Sequence, residues 1–449
     1  MLIKQKQSLL GFRPKIAAID IFLVANAVVW YVSILAVLED NIMYVGEDSW
    51  LEPNSQILIW CLHFAGLIFS ALVGAKISKR INRTKFLRIW ISLNVALCLT
   101  LFGLSYTNPI ITTFLVIIYG VSFGLGMPTC MSNYSDSVSI ENRGRISGLV
   151  MLVSGIGIFA FSAAPLNLLE LGVALFIWRL LGLVVFQAFG SSVKRNLTKR
   201  AVSYKQVLSQ RSFLVYYLPW LLFSLVNFLV PLQSTVSGNV AMEIYLIQTV
   251  FLGIFAVLGG FLLDTIGRKR IAITGFVMLG LAAAIRGINA TNIVSIYFTA
   301  IFEGVAWGLL LVLFLLTLWG DLSDSFHSDK YYAIGVIPFF ISMLIVITIG
   351  NQITDNPQIN NAIFPFAAFF LFLAVLPLFY ATETLPEKIT KKRELDSYVA
   401  KALQKVSQEG KKSENKNFGE TEEENEKTIE QIKESREAED ARKLAKKYY

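Results

Sequence analysis

The sequence predicts an all-α membrane protein with twelve transmembrane helices, arranged as two pseudo-symmetric halves of six helices each. Three observations predict this fold class: the apolar content of the chain, the regular recurrence of long apolar runs, and the alternation of charge between loops. Of the 449 residues, 55% are hydrophobic and 16% are charged, and the mean hydropathy is +0.58. A soluble domain cannot bury that much apolar surface, so we expect the chain to lie in a lipid bilayer.

Twelve apolar runs are long enough to cross a membrane, because a hydrocarbon core about 30 Å thick needs roughly 20 apolar residues per helix. The first run is too long for the apolar region of a signal peptide and has no small-residue cleavage site, so we expect it to be a retained span. The runs lie near residues 16–38, 56–77, 89–106, 110–132, 147–165, 171–190, 213–233, 244–263, 271–289, 294–319, 332–350 and 362–381.

The charges in the loops predict the orientation of the spans. Before residue 382 there are 24 Lys and Arg residues, and 22 of them lie in the N-terminal segment, at a span end or in every second loop. The other two, Arg179 and Arg286, fall inside spans. Lys and Arg beside spans stay in the cytoplasm, so we expect both termini there. The net charge of +8 is thus explained by topology and requires no nucleic-acid partner.

The end of the eighth span carries the stretch GGFLLDTIGRKR, Gly259 to Arg270, and a weaker copy, GAKISKRINR from Gly74 to Arg83, ends the second span. The copies align with an offset of 186 residues, which places Ser78 opposite Asp264. A repeat of six spans is an architecture of secondary transporters. The expected boundaries are a cytoplasmic N-terminus at 1–15, six-helix halves at 16–190 and 213–381, a cytoplasmic connector at 191–212 and a charged tail at 382–449.

GGFLLDTIGRKR resembles the Gly-x-x-x-Asp-x-x-Gly-Arg-Lys signature that the major facilitator superfamily carries between helices two and three and again between helices eight and nine. IENRGRISG at 140–148 resembles the loop before helix five, and TETLPEK at 382–388 resembles the ending of the sugar-porter branch. The resemblance covers about residues 12–388 and implies the fold of that superfamily. Two departures count against proton-driven drug efflux: Gly120 replaces a helix-four arginine, and span five lacks a Gly-Pro pair.

The signature predicts a cytoplasmic latch between the two halves. Gly260 allows another helix to approach closely. The charge of Asp264 is unfavourable at the end of its own helix, so it needs a cation or the N-terminus of another helix nearby. The obvious candidates are Arg143, Arg145 and the start of span five. The alternative is that Asp264 only ends a helix and the cations only fix topology. The expected gate residues are Gly260, Asp264, Gly267, Arg268, Lys269, Arg143, Arg145, Gly74, Lys79, Arg80, Arg83, Asp321 and Asp324.

In the first-half copy, Ser78 stands at the position that Asp264 has in the second-half copy. A latch with charge on both sides therefore needs an acid from another part of the chain. The loop after span ten offers Asp321, Asp324 and Asp329, which pseudo-symmetry would bring against the basic residues Lys79, Arg80 and Arg83. If these pairs are partly exposed, each contributes about 0 to 1 kcal/mol.

Polar groups inside spans are costly and therefore mark candidate solute or proton sites. Glu303 with Trp307 one turn later is the strongest candidate, and Asp20 and His63 are further ones. The resemblance implies that helices one, four, seven and ten line a central cavity, which adds Asn26, Trp30, Tyr119, Tyr216, Trp220 and Asn227. The alternatives are that His63 is satisfied by a neighbouring hydroxyl or carbonyl, that the aromatic residues only pack, and that Asp20 is solvated or paired with Lys15.

Two functions remain open at this point. The first is a secondary transporter or facilitator that moves a small solute by alternating access, either downhill or coupled to H⁺ or Na⁺. The second is a transporter-like scaffold or sensor that acts through its tail, which would lie on the inner leaflet as an amphipathic helix and then become a solvated helix or disordered. No catalytic triad, metal cluster or phosphate loop is found, so no enzyme activity and no cofactor are expected. We expect a monomer in the plasma membrane, in contact with lipids.

Overall fold

A computed structural model of the chain describes residues 14–48, 53–103, 109–164, 166–190, 202–226, 239–288, 292–323, 328–350 and 357–385. Within these ranges every regular element is helical. The chain divides into two compact units, Met1–Thr384 and Leu385–Tyr449. The first unit contains all the helices given below. The expectations for the tail fall in the second unit, of which only Leu385 is described.

Seven α-helices form what we call the first half, and a short helix follows in the connector. Within the described residues, five helical segments of this half are long and apolar enough to cross a bilayer, at the positions of predicted spans. In chain order the helices are α1 (Pro14–Asp48), α2 (Pro53–Ile77), α3 (Arg83–Cys98), α4 (Thr100–Gly103), α5 (Pro109–Ser137), α6 (Arg143–Ala163), α7 (Leu168–Phe189) and the connector helix α8 (Tyr204–Leu208).

Nine α-helices form what we call the second half. Two π-helical segments, Val312–Thr317 and Val346–Gly350, continue the helices before them. The helices are α9 (Arg211–Val226), α10 (Asn239–Thr265), α11 (Arg268–Ile288), α12 (Ile293–Leu311), α13 (Leu318–Leu322), α14 (Ser328–Gly335), α15 (Ile337–Ile345), α16 (Pro357–Leu373) and α17 (Val375–Phe379).

The last two predicted spans are each divided at a proline. Pro338 lies in the first turn of α15, and Pro377 lies within α17, just after the break at Ala374. Proline has no N–H to give to the carbonyl four residues earlier, so the helix ladder is interrupted at each place. Despite these interruptions, Ser328–Thr348 and Ile363–Phe379 are each one apolar segment at the predicted position of a span.

The fold is that of an integral membrane protein. Nine helical segments within the described ranges are long and apolar enough to cross a membrane. Two shorter apolar helices, Arg211–Val226 and Ile363–Phe379, lie at the predicted seventh and twelfth spans. Helix α3 occupies the position of the third span. The predicted count of twelve is consistent with this arrangement.

Glycines set the closest helix contacts. A Cβ at Gly74 in α2 would overlap the backbone carbonyl of Leu125 in α5, and a Cβ at Gly308 in α12 would lie 2.7 Å from the carbonyl oxygen of Leu252 in α10. Small residues allow such backbone approach in membranes, where dispersion replaces the hydrophobic effect as the attraction between helices. These contacts hold the helices of each half together, while α6 and α10 pack across the halves.

Candidate functional site

The acid of the second-half signature, Asp264, lies in the last turn of α10 and binds the first turn of α6 in the other half. Its Oδ1 accepts a hydrogen bond from the Gly144 N–H at 2.9 Å, and its Oδ2 accepts one from the Arg145 N–H at 2.8 Å. The Arg145 Nε lies 3.9 Å from Oδ2, and the Asp264 side chain is fully buried. The carboxylate thus points away from the negative end of the α10 dipole and binds the free N–H groups at the positive end of the α6 dipole.

Glycines allow α6 and α10 to come close enough for this contact. A Cβ at Gly260 would lie 2.5 Å from the carbonyl oxygen of Gly144, and a Cβ at Gly148 would lie 2.7 Å from the carbonyl oxygen of Ala256. Any larger residue at these positions would force the helices apart and draw Asp264 away from α6.

Asp321 in α13 joins two arginines, one from each half. Its Oδ1 forms an ion pair with Nη1 of Arg143, and its Oδ2 lies 2.8 Å from Nε of Arg268. Arg143 also donates to two backbone carbonyl oxygens of its own half. The guanidinium of Arg143 therefore binds Asp321 and not Asp264, which corrects the pairing expected from the sequence. The physical reason is that Asp321 and two backbone carbonyl oxygens hold Arg143, while the N–H groups of α6 and the guanidinium of Arg268 satisfy Asp264.

Arg268 connects the two acids. Its Nη2 lies 3.2 Å from Oδ1 of Asp264, while its Nε binds Asp321. The same Nη2 donates to the carbonyl oxygen of Ile140 in the first half at 2.6 Å, and the side chain is fully buried. We call Asp264, Arg268, Asp321 and Arg143, with the first turn of α6, the Asp264 cluster.

Glu383, which follows the last helix, caps the start of α11. It accepts hydrogen bonds from the Arg268 N–H at 2.8 Å and the Lys269 N–H at 3.1 Å. Gly267 has φ of +109°, and a Cβ there would overlap the Glu383 carboxylate. Glycine is thus required at this turn for both backbone conformation and space. The role of Glu383 is not predicted from the sequence, although the residue lies in the TETLPEK motif.

A second cluster surrounds Arg83, the first residue of α3. Its Nη1 lies 2.8 Å from Oδ2 of Asp136 at the end of α5, and its Nη2 lies 3.4 Å from Oδ1 of Asp329 in the second half. Nη2 also donates to Ser132, whose hydroxyl lies 2.6 Å from that of Ser328 across the halves. We call these five residues the Arg83 cluster. Asp136 is not among the residues predicted from the sequence, although an acid near the end of a span is the same signal that identified Asp264.

The acids after span ten are divided between the two clusters. Asp329, in the first turn of α14, contacts Arg83 as expected, whereas Asp321 belongs to the Asp264 cluster. The sequence places Asp321 in a loop, but the π-helical segment continues span ten into α13 and carries the residue to the other arginines. In the turn after α2, Lys79 is half-buried and Arg80 is exposed.

The connector helix contacts both halves next to the Arg83 cluster. The Tyr204 hydroxyl donates to the carbonyl oxygen of Leu72 in α2 at 2.5 Å, and the Lys330 Nζ lies 4.7 Å from the centre of the Tyr204 ring. Burial, with a smaller contribution from the charge of Asp329, raises the pKa of Tyr204 to about 12. The hydroxyl therefore stays protonated and keeps its donor role at physiological pH.

Glu303 of α12 faces α10 and α11 of its own half. Its Oε2 accepts a hydrogen bond from Gln248 Nε2 at 3.1 Å, and the charge of Arg286 acts on it. The side chain is buried. Trp307, one turn later, is partly buried, with its ring 5.1 Å from that of Phe223 in α9. Gln248 and the proximity of Arg286 were not expected from the sequence, because they depend on which helices surround α12.

His63 and Tyr119 are hydrogen-bonded inside the first half. His63 Nδ1 lies 2.7 Å from the carbonyl oxygen of Val116, and its Nε2 lies 3.0 Å from the Tyr31 hydroxyl. A carbonyl can only accept, so Nδ1 donates and the Tyr31 hydroxyl donates to Nε2. The Tyr119 hydroxyl donates to the backbone carbonyl of Leu97 at 3.0 Å. The geometry of His63 agrees with the alternative of a satisfied histidine.

Three candidate residues of α1 also contact the interior of the first half. Oδ1 of Asp20 accepts a hydrogen bond from Asn133 Nδ2 at 2.9 Å. Oδ1 of Asn26 accepts one from Arg179 Nη1 at 2.6 Å, and the Arg179 guanidinium carbon lies 5.3 Å from the centre of the Trp30 ring. Asp20, Asn26 and Trp30 are all buried. Their observed contacts are with helices of the first half.

Two candidates of α9 are buried, and two further candidates lie outside the described residues. The Tyr216 hydroxyl donates to a backbone carbonyl just after α17 at 2.9 Å. Trp220 stacks on Phe314, with the ring centroids 4.6 Å apart. Asn227 and Asp324 are the two residues outside the described ranges.

Comparisons with known proteins bear on the family. Residues 6–162 match the family model described as Major Facilitator Superfamily. No curated protein matches the chain. Among solved structures, the human organic anion transporter MFSD10 (TETRAN) is 13% identical with a TM-score of 0.60, and covers 81% of this chain and 99% of its own. A bacterial homologue of the iron transporter ferroportin, in its outward-facing state, is 13% identical with a TM-score of 0.62, and covers 82% of this chain and 98% of its own.

The family match lies in the first half, and the likeness of fold extends over about four-fifths of the chain. Two residues of the second-half signature, Asp264 and Arg268, lie outside the matched segment and belong to the Asp264 cluster. Membrane transport is the class of function that these findings support. Residues 6–162 therefore carry the sequence match to the major facilitator superfamily, and about four-fifths of the chain shares its fold with two transporters of known structure.

Proposed function

We propose that the chain is a secondary transporter or facilitator that moves a small solute by alternating access of its two halves. The observation that carries this proposal is the composition of the contact between the halves, where the Asp264 and Arg83 clusters supply ion pairs and hydrogen bonds. Buried ion pairs are often no more stabilising than apolar packing of the same volume, because desolvation offsets the attraction. An interface of this kind can therefore open to water at a modest cost in free energy.

The end of the bundle that carries both clusters is the cytoplasmic end in this proposal. The cations of the loops support it, because Lys and Arg beside spans are retained on the cytoplasmic side. With the clusters formed, the two halves are joined at that end. The structure then corresponds to a state closed toward the cytoplasm, and transport requires both clusters to separate.

Glu303 is the proposed proton or solute site of the second half. It is an acid within a span, it is buried, and its neighbours are the neutral Gln248 and the cationic Arg286. A carboxylate in this position is costly to insert, and it gains or loses interaction with Arg286 according to its protonation. Of the two structural neighbours, one is an organic anion transporter and the other is a homologue of an iron transporter, so the shared fold does not identify the solute.

Uptake into proteoliposomes tests the proposal. The purified full-length protein is reconstituted and offered sugars, organic acids and lipids, with and without a pH gradient. Accumulation or counterflow exchange of at least one solute is expected, together with a change in rate when Asp264 is replaced by Asn. Failure of every solute to move, with no change in conformation in the Asp264 variant, would overturn alternating access and favour the scaffold or sensor.

A further inference from the structure

Arg179 in α7 is a fully buried arginine with one hydrogen-bond acceptor among the described residues. Its Nη1 donates to Oδ1 of Asn26 at 2.6 Å, whereas Nε and Nη2 have no hydrogen-bond partner there. The described ranges contain no ion pair between Arg179 and an Asp or Glu. A buried charge without a counter-charge is strongly unfavourable, so we expect a further hydrogen-bond acceptor or an anion to bind this guanidinium.

The other sides of the guanidinium are occupied. Its central carbon lies 4.7 Å from the centre of the Trp90 ring in α3 and 5.3 Å from that of the Trp30 ring in α1. Both indole N–H groups donate to first-half acceptors, so the rings are held. Asn26 is held as well, because its Nδ2 donates to the carbonyl oxygen of Trp178 at 2.6 Å. The orientation of Arg179 is therefore fixed before any ligand binds.

The two nitrogens without partners lie on one edge of the guanidinium plane, and their N–H bonds on that edge point in parallel. A parallel pair of donors is the geometry that binds both oxygens of a carboxylate. The titratable groups that act on Arg179 are the thiols of Cys98 and Cys130, which carry no charge when protonated. A planar oxyanion on this edge supplies both the acceptors and the negative charge that the described residues do not.

We propose that the Nε–Nη2 edge of Arg179 binds the carboxylate group of the transported solute, which makes that solute an organic anion. This assignment rests on the transport function proposed above. Arg179 is 0% exposed, so the carboxylate reaches the edge only when α7 separates from α1 or α3, a movement within the first half that is additional to the separation of the two halves. The contact between α7 and α1 is closest at Gly182, where a Cβ would overlap the amide of Asn26, and we expect this contact to open. A resident small oxyanion has the same chemistry, and the experiment separates the two sources.

Tryptophan fluorescence of the purified full-length protein measures binding, because Trp30 and Trp90 lie on the guanidinium. Acetate and succinate are titrated at constant ionic strength, with chloride as a spherical control. Saturable quenching or enhancement by the carboxylates alone is expected. Arg179→Lys keeps the positive charge but removes the parallel pair of N–H donors, so the apparent affinity for carboxylates should fall by about ten- to a hundredfold. Arg88→Lys, at an exposed arginine of the same half, is the control expected to bind as the wild type does.

Asn26→Asp keeps the proposal testable if Arg179→Lys does not fold. An aspartate at this position supplies the counter-charge from within the protein, so the fold should persist while carboxylate binding is lost. Uptake of labelled succinate into proteoliposomes then distinguishes a transported carboxylate from a resident oxyanion. Accumulation in the wild type that Arg179→Lys abolishes supports binding of the transported solute. Saturable binding without movement of any carboxylate identifies a resident oxyanion and overturns the substrate assignment. No saturable response in the wild type, or equal binding in both variants, overturns the site, and neither result alters the latch tests of alternating access.

Discussion

Neutralising Asp264 is the sharpest perturbation of the latch. Asp264→Asn keeps the size of the side chain, and its remaining oxygen can still accept one of the two α6 N–H groups. Its amide nitrogen then faces the second N–H, donor against donor, and the ion pair with Arg268 at 3.2 Å is lost. Hydrogen bonds to charged groups contribute about 1.5–3 kcal/mol each, and Arg268 keeps Asp321. We therefore expect the closed state to lose about 2–3 kcal/mol relative to the open one.

A loss of about 2–3 kcal/mol shifts the closed-to-open ratio by roughly 30- to 150-fold. Thr317→Cys in a background without Cys61, Cys98 and Cys130 reports this shift, because Thr317 is fully buried and its hydroxyl donates to Ser147 across the halves at 3.0 Å. As long as the open state is a minor part of the population, maleimide should label the Thr317→Cys reporter in Asp264→Asn faster by about the same factor as the shift in the closed-to-open ratio.

Glu243→Gln is the matched control for removing one negative charge from α10. Glu243 is exposed and accepts a hydrogen bond from Tyr297, far from the Asp264 cluster. Labelling at the rate of the parent protein is expected for this variant. If Asp264→Asn folds and also labels at the parent rate, the carboxylate does not hold the halves together, and the signature is only a turn.

Three other predictions follow from the same contacts. Asp321→Asn should open the latch at least as much as Asp264→Asn, because Arg143 and Arg268 share that carboxylate; slower labelling of the Thr317→Cys reporter than in Asp264→Asn would contradict this. Glu303→Gln should abolish solute accumulation driven by a pH gradient and leave counterflow exchange intact, and unchanged accumulation would remove Glu303 from coupling. Gly267→Ala should lower the free energy of unfolding by about 1–3 kcal/mol, since φ is +109° and the Cβ overlaps Glu383; an unchanged melting temperature would argue against the cap.

The sequence predicts the parts of the fold that depend on local composition. Apolar runs identify the spans, and the repeat at Gly74 and Gly260 identifies related helix ends. The destination of Asp264 is also predictable, because a carboxylate at a helix end needs cations or free N–H groups, and the start of span five offers both. The breaks at Pro338 and Pro377 have a clear local cause as well, because proline has no N–H to donate within a helix.

The sequence could not predict which partner each buried charge finds. Arg143 and Arg268 meet on Asp321 only because a π-helical segment extends span ten, and Arg179 meets Asn26 across 153 positions of sequence. Burial also changes the energetics: the sequence estimate assumed partly exposed pairs, whereas the Asp264, Arg268 and Asp321 side chains are 0% exposed. Removing one partner of these pairs should therefore cost more free energy than the sequence alone suggested, because it leaves the other charge buried and unpaired.

Paired distances between spin labels at the two ends of the bundle test alternating access most directly. Ile81 and Ile266 are exposed at the end that carries the clusters, one in each half, and Leu169 and Ile288 are exposed toward the opposite end. In Asp264→Asn, the distance between labels at residues 81 and 266 should lengthen while that between labels at 169 and 288 shortens. Two distances that move together, or that both stay as in the wild type, would contradict the proposal that these halves rock around a central site.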